Sequence, residues 1–186
     1  MNLFRTQHTA KKGFTLIELM VSVGIFALMT AFFLFRSDKF DGGIILTNLA
    51  YDVALTIREA QTYGMNVMRD PSGSFTSPYG VYFNLSNPTQ FILYTTTDSQ
   101  GRYNASSEIV KTYNIRRGNR VDFICYGTSA ATCNQTPTSL SIAFIRPHPE
   151  AIFGSGSNYA VIRLRGRDGE STRNIVVRKT GQISVE

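Results

Sequence analysis

The chain has 186 residues, of which 42% are hydrophobic, and a formal net charge of +6 at pH 7. It contains two cysteines and two histidines, which are too few for a cysteine- and histidine-bound metal cluster. It has no P-loop and no His-Glu-x-x-His pattern, and His148, the only histidine after residue 8, stands between two prolines. We therefore expect a protein that is not an enzyme and that needs neither a cofactor nor a metal.

The first predicted element is an apolar block from Phe14 to Phe35, preceded by a basic leader. At the helical rise this block would be about 33 Å long, enough to cross a bilayer. The leader carries Arg5, Lys11 and Lys12 and no acid, which predicts a single pass with a cytoplasmic leader. The rest of the chain is then expected outside the inner membrane, in the periplasm or beyond the cell.

Glu18 is the one acid inside the apolar block. An ionised acid costs about 2.5–3.5 kcal/mol at the membrane centre and less near the interface, so its presence predicts a partner cation. A peptidase cut between Gly13 and Phe14 would create an α-amine one helical turn from Glu18. The same amine would be available to any neighbouring chain packed alongside.

Residues 11–21, Lys-Lys-Gly-Phe-Thr-Leu-Ile-Glu-Leu-Met-Val, resemble the class III signal of type IV prepilins and type II secretion pseudopilins. The resemblance implies that prepilin peptidase cleaves after Gly13 and methylates Phe14, and that Glu18 guides subunit docking into a filament. It also implies other pilin or pseudopilin subunits and an inner-membrane assembly platform as partners. An ordinary signal anchor that contains a glutamate by chance is the alternative interpretation.

The organisation of the chain changes after the apolar block. Asp38, Asp41 and the pair Gly42-Gly43 follow it, and adjacent glycines each weaken a helix by about 1 kcal/mol. About 150 residues remain beyond the leader and the span, enough for one domain with its own core. We predict a leader over residues 1–13, a transmembrane and filament-core helix over 14–36, a glycine-containing break over 37–43 and a pilin-like domain over 44–186.

An amphipathic helix of about five turns is predicted at the start of that domain. Its apolar residues recur at helical spacing, and Gly64 is a natural residue to follow the helix end. This stripe, expected to lie on a sheet, consists of Ile45, Leu49, Val53, Ile57 and Ala60.

Beyond Gly64 the sequence alternates or forms short apolar runs separated by turn residues, as strands do. In one run, Ala160, Ile162 and Leu164 are expected to face inward. The predicted strands are 79–84, 90–95, 109–115, 121–126, 140–145, 159–165, 174–179 and 182–185. The predicted fold class is α+β: a membrane-spanning helix, then a pilin-like domain in which an amphipathic helix packs on antiparallel β-sheet.

The helix around residues 49–64 and the closing segment 175–183 resemble those of the H-type minor pseudopilins and related minor pilins. This looser resemblance implies a minor structural subunit of a type II secretion pseudopilus or a type IV pilus. Cys125 and Cys133 enclose seven residues, and outside the cytoplasm they are expected to form a disulfide across a loop. Two free thiols in a flexible turn are the alternative.

Nucleic-acid binding for DNA uptake is the rival function. Basic residues of the last strands could contact phosphates from one face of the sheet. However, the Gly-Arg-x-Arg motif of DNA-uptake minor pilins is incomplete here, because Gly169 follows Gly166-Arg167-Asp168. A solvated strand face and a contact with pilus or secretion partners are the other interpretations. The residues concerned are Arg163, Arg165, Arg167, Arg173, Arg178 and Lys179.

Overall fold

In a computed structural model, one long helix is followed by nine strands within the described part of the chain. The described residues are 13–66, 73, 75–104, 107–129, 133, 136–153 and 157–186, and for 35–41 the description is limited to the backbone. All of the leader except Gly13 lies outside them. The predicted α+β architecture, with an apolar helical segment, an amphipathic helical segment and antiparallel sheets, is confirmed.

Helix α1 runs from Leu16 to Met65 without interruption. Its backbone is helical through residues 37–43, where we predicted a glycine-containing break, and the domain boundary at that segment stays a prediction. Glycine weakens a helix but removes none of its hydrogen bonds, and the Thr47 hydroxyl donates a further bond of 2.8 Å to the Gly43 carbonyl. The contacts within the chain nevertheless divide it into two compact units, Met1–Phe40 and Asp41–Glu186.

The second half of α1 buries a continuous stripe in the core of the unit Asp41–Glu186. The stripe lies one residue further along the chain than predicted at its start, because Leu46 and Ala50 are fully buried whereas Ile45 and Leu49 are half-buried. From Val53 onward the observed and predicted stripes agree. The fully buried members are Leu46, Ala50, Val53, Ile57 and Ala60.

Gly64, one turn beyond Ala60, has a role that the sequence did not reveal. It lies inside α1 with an ordinary helical φ, rather than after the helix end as predicted. A β-carbon at this position would lie 2.5 Å from the carbonyl oxygen of Phe144. The residue is glycine because the helix and a strand approach each other backbone to backbone.

Two antiparallel sheets complete the domain. The five-stranded sheet has the order β3-β2-β1-β5-β6 and the four-stranded sheet has the order β4-β7-β8-β9. The strands are β1 (Tyr79–Asn84), β2 (Gln90–Thr95), β3 (Glu108–Asn114), β4 (Arg120–Gly127), β5 (Ser139–Ile145), β6 (His148–Ile152), β7 (Tyr159–Arg165), β8 (Thr172–Arg178) and β9 (Ile183–Val185).

The eight predicted strands are confirmed to within two residues at each end, and β6 is the strand that the sequence did not predict. His148, which stands between the two prolines, begins it and is exposed. Prolines on both sides of His148 conceal the strand, but proline is tolerated at the edge of a sheet, where β6 lies.

The core joins the helical stripe to the inner faces of both sheets. Ala160, Ile162 and Leu164 of β7 are fully buried, which confirms their predicted inward orientation. Polar contacts also tie the helix to the strands, including a 3.2 Å hydrogen bond from the Arg58 guanidinium to the Ile183 carbonyl. This end of the helix is thus a fixed part of the folded domain.

Candidate docking site

The start of α1 is set by Thr15. Its hydroxyl oxygen accepts a hydrogen bond of 3.3 Å from the backbone N–H of Glu18, and Leu16 is the first helical residue. Thr15 and Glu18 have the spacing of a capping box, in which a threonine or serine cap is followed three residues later by glutamate. Sequence reasoning missed this signal, although the pattern is visible in the printed residues.

Phe14 therefore precedes the helix instead of opening it. We expected its α-amine, once released by cleavage, to sit one helical turn from Glu18 in the same chain. Residues 13–15 are not helical before cleavage, so the position of the released amine relative to Glu18 stays a prediction.

Residues 16–34, the apolar segment of α1, are all exposed in the described structure. Leu16–Leu34 is long and apolar enough to cross a membrane, with a mean hydropathy of 2.2 and none of it buried. Hydroxyl groups in this segment bond to their own helix: Ser22 donates to the Glu18 carbonyl at 2.7 Å, and Thr30 to the Phe26 carbonyl at 2.8 Å. Such a surface needs lipid or neighbouring helices around it.

The side chain of Glu18, unlike those of Ser22 and Thr30, makes no hydrogen bond within the described part of its own helix. Among the described residues its carboxylate accepts no hydrogen bond and forms no ion pair, because the bonds that Glu18 makes there use its backbone N–H and C=O. An acid on an exposed apolar helix, without a partner in the described chain, has the chemistry of a docking group for a cation.

The six basic residues of the last strands do not form the single face that we predicted. Arg163 and Arg165 point outward from β7, opposite the buried face. Both pair with Asp122, at 3.0 Å and 2.8 Å. The hydrogen bond from Arg165, followed by the one from Arg163, lowers the pKa of the Asp122 carboxyl against the effect of its partial burial. This one carboxylate compensates one of the positive charges on the face.

The other four basic residues have different surroundings from this pair. Arg173 contacts the helix, where its guanidinium donates a 3.1 Å hydrogen bond to the Thr47 hydroxyl. Arg178 shares the outward face and lies 5.6 Å from the centre of the Tyr159 ring. Arg167 and Lys179 are exposed and follow the ends of β7 and β8.

The structure places a disulfide between Cys125 and Cys133, whose Cα atoms are 5.7 Å apart. Cys125 is buried within β4, where Val161 of β7 is its cross-strand partner. The bond closes the loop that follows β4 onto the strand itself.

Residues 8–34 match the family model described as the prokaryotic N-terminal methylation motif. The match includes Gly13, Phe14 and Glu18, and it supports a type IV pilin-like chain that is a substrate of prepilin peptidase. The N-terminal apolar helix of the structure fits that description. Comparison with curated proteins and with solved structures gave no match.

Proposed function

We propose that this protein is a structural subunit of a pilin-like filament. Prepilin peptidase removes residues 1–13 and methylates Phe14. The mature helix then stays in the inner membrane until it docks with another subunit. The observation that carries the proposal is Glu18: a carboxylate without a partner among the described residues, near the start of an exposed apolar helix and inside residues that match a methylation motif.

Docking brings the Glu18 carboxylate of one chain near the α-amine of Phe14 in another while the apolar helix surfaces pack. In lipid the acid has a strong preference for such a partner, because the hydrocarbon offers no hydrogen bonds. Desolvation of the two charges opposes their attraction, so the pair contributes more to register than to net stability. Apolar packing holds the helices of neighbouring subunits together, and the ion pair selects their register.

The chain is proposed to be a minor subunit, because the helix and closing strands of its unit Asp41–Glu186 resemble those of H-type minor pseudopilins. This unit would stand outside the inner membrane as part of a type II secretion pseudopilus or a type IV pilus, built by an inner-membrane assembly platform. The disulfide between Cys125 and Cys133 fits an oxidising compartment of this kind.

The experiment that tests this function is replacement of Gly13 by leucine in the native membrane. We expect Gly13→Leu to retain residues 1–13, whereas the wild type should begin at Phe14 with one added methyl group, as read from the intact mass. Gly24→Leu is the matched control, because Gly24 lies in the same apolar segment and a β-carbon added there would meet nothing within 4 Å. Normal trimming of Gly13→Leu, or a wild-type protein that still begins at Met1, contradicts the proposal.

A further inference from the structure

Two turns that are distant in the sequence bring four arginines together. Arg116 and Arg117 lie in the turn between β3 and β4, Arg120 begins β4, and Arg167 lies in the turn between β7 and β8. Their proximity is visible at Gly118, where a β-carbon would lie 3.0 Å from Cγ of Arg167. We call these four residues the arginine end of the four-stranded sheet.

The backbone of the first turn is shaped to present these side chains. Arg117 has a φ of 62° and Gly118 a φ of 77°, both in the left-handed region that lets the chain reverse tightly. The Asn119 N–H closes the turn on the Arg116 carbonyl at 3.4 Å. A side chain on residue 118 would meet the stem of Arg167, so the glycine permits the contact between the two turns.

The side chains of the arginine end are accessible to a partner. All four side chains are exposed, and none forms an ion pair with another described residue. The nearby Asp168 turns inward on its own loop, where one carboxylate oxygen accepts hydrogen bonds from the N–H groups of Glu170 and Ser171 at 3.1 Å and 3.0 Å.

Charge counting shows how uneven the distribution is. Residues 115–122 and 163–173, which hold the arginine end, contain seven arginines and three acids, a net charge of +4. Residues 14–186 as a whole contain 16 basic and 13 acidic side chains, a net charge of +3. These two segments together thus carry more positive charge than the mature chain as a whole, and the remainder of the chain is slightly acidic.

The place of the arginine end in its domain indicates the partner. Arg173, at the start of β8, donates its 3.1 Å hydrogen bond to Thr47, near the beginning of the helix in the unit Asp41–Glu186. The chain therefore enters this domain at the end of the sheet where the arginines lie. Thr47 follows the apolar segment, which ends at Leu34, by only thirteen residues, so even a fully extended connection would reach no further than about 45 Å.

From this placement we infer that the arginine end binds the anionic lipid headgroups of the membrane that holds residues 16–34. Guanidinium groups pair with phosphate in a bidentate manner, and basic clusters close to a membrane anchor are attracted to anionic lipid. The contact would hold the unassembled subunit against the bilayer surface. The inference rests on the membrane anchoring contained in the proposed function.

The test is hydrogen–deuterium exchange on the full chain in lipid nanodiscs, with discs of phosphatidylcholine compared with discs that also contain phosphatidylglycerol. In the anionic discs at about 0.05 M salt, we expect exchange in residues 115–121 and 166–171 to slow on the order of tenfold. The slowing should vanish at about 1 M salt, where screening is strong. The fourfold variant R116Q/R117Q/R120Q/R167Q should lose it at low salt as well.

The matched control is R102Q/K111Q/R178Q/K179Q, which removes the same charge from exposed positions elsewhere and should keep the slowing. Equal exchange of the two turns in both disc types overturns the inference, as does loss of the slowing in the control. Slowing that requires added duplex DNA and not anionic lipid also overturns it. Protection of residues 16–34 reports the anchoring separately: if it is absent, the proposed function fails too, and if it is present, only the lipid contact is in question.

Discussion

Gly64 of the helix and the carbonyl oxygen of Phe144 in β5 approach so closely that a β-carbon on residue 64 would lie 2.5 Å from the oxygen. Backbone atoms form the obstacle, so no side-chain movement can relieve it. We expect Gly64→Ala to lower the free energy of unfolding by about 1–3 kcal/mol, the range for overpacked cores. Thermal unfolding of the full chain in detergent, followed by near-ultraviolet circular dichroism, measures this.

Gly43→Ala is the control for Gly64→Ala, because residue 43 is also helical but nothing lies within 4 Å of its β-carbon position. It should leave stability unchanged or raise it by up to about 1 kcal/mol, through the better helix propensity of alanine. If both variants behave alike, the close approach at Gly64 has no energetic consequence.

Asp122 should make the stability of the domain depend on pH. Its pKa is lowered in the folded state by Arg165 and Arg163, so its contribution is present above the unfolded pKa of about 3.9 and is lost as the pH falls through the folded pKa. We expect Asp122→Asn to destabilise the protein by about 1–2 kcal/mol at neutral pH. The difference from the wild type should shrink below about pH 4.

Denaturant titrations at several pH values check the Asp122 prediction. Asp98→Asn is the comparison, since Asp98 pairs with an arginine whose side chain is 67% exposed, and its effect should stay below about 0.5 kcal/mol. If the difference in unfolding free energy between wild type and Asp122→Asn stays constant at acidic pH, the ion pairs of Asp122 are not the cause of that difference.

Glu18→Ala should separate membrane insertion from assembly. Removing the acid makes the helix more apolar, so insertion should persist or improve, while incorporation into filaments should fall because the neighbour's amine loses its partner. Membrane fractionation and immunoblotting of sheared filaments measure the two properties. Ser22→Ala, which removes a hydroxyl bonded only to its own helix in the described structure, should assemble normally, and undiminished incorporation of Glu18→Ala would remove the docking role.

The disulfide between Cys125 and Cys133 encloses a short loop, so its loss should cost only about 2–3 kcal/mol. The double variant Cys125→Ser/Cys133→Ser should unfold at lower temperature than the wild type. Reductant should lower the melting temperature of the wild type toward that of the variant and leave the variant unchanged. Intact mass before and after alkylation verifies the oxidation state, and a wild-type protein that alkylates without reduction contradicts the assignment.

Local patterns predicted most of the fold, because each strand except β6 carries its own alternation and turn residues. The helical stripe was displaced at its start, since Ile45 and Leu46 are both apolar and only packing against the sheets selects Leu46. Gly64 was misassigned for a related reason: a helix terminus and a close backbone approach both favour glycine. Only the contact with Phe144, which is distant in the sequence, distinguishes a close backbone approach from a helix terminus.

The candidate functional residues also differ in how far local sequence could predict them. Gly13, Phe14 and Glu18 lie within six consecutive residues and could be recognised together. The basic residues of the last strands could not be sorted by sequence, because the pairing of Arg163 and Arg165 with Asp122 spans more than forty positions. The arginine end likewise depends on a contact between turns from two different strand pairs.

The hydroxyl of Thr15 has a consequence for proteolysis. By fixing the first helical residue at Leu16, it leaves Gly13 and Phe14 as non-helical backbone. A peptidase must seat the bond it cleaves in an accessible, unwound conformation, and a helix that began two residues earlier would wind that bond into its first turn. If the proposed cleavage after Gly13 occurs, the cap that starts the helix also keeps that bond accessible to the peptidase.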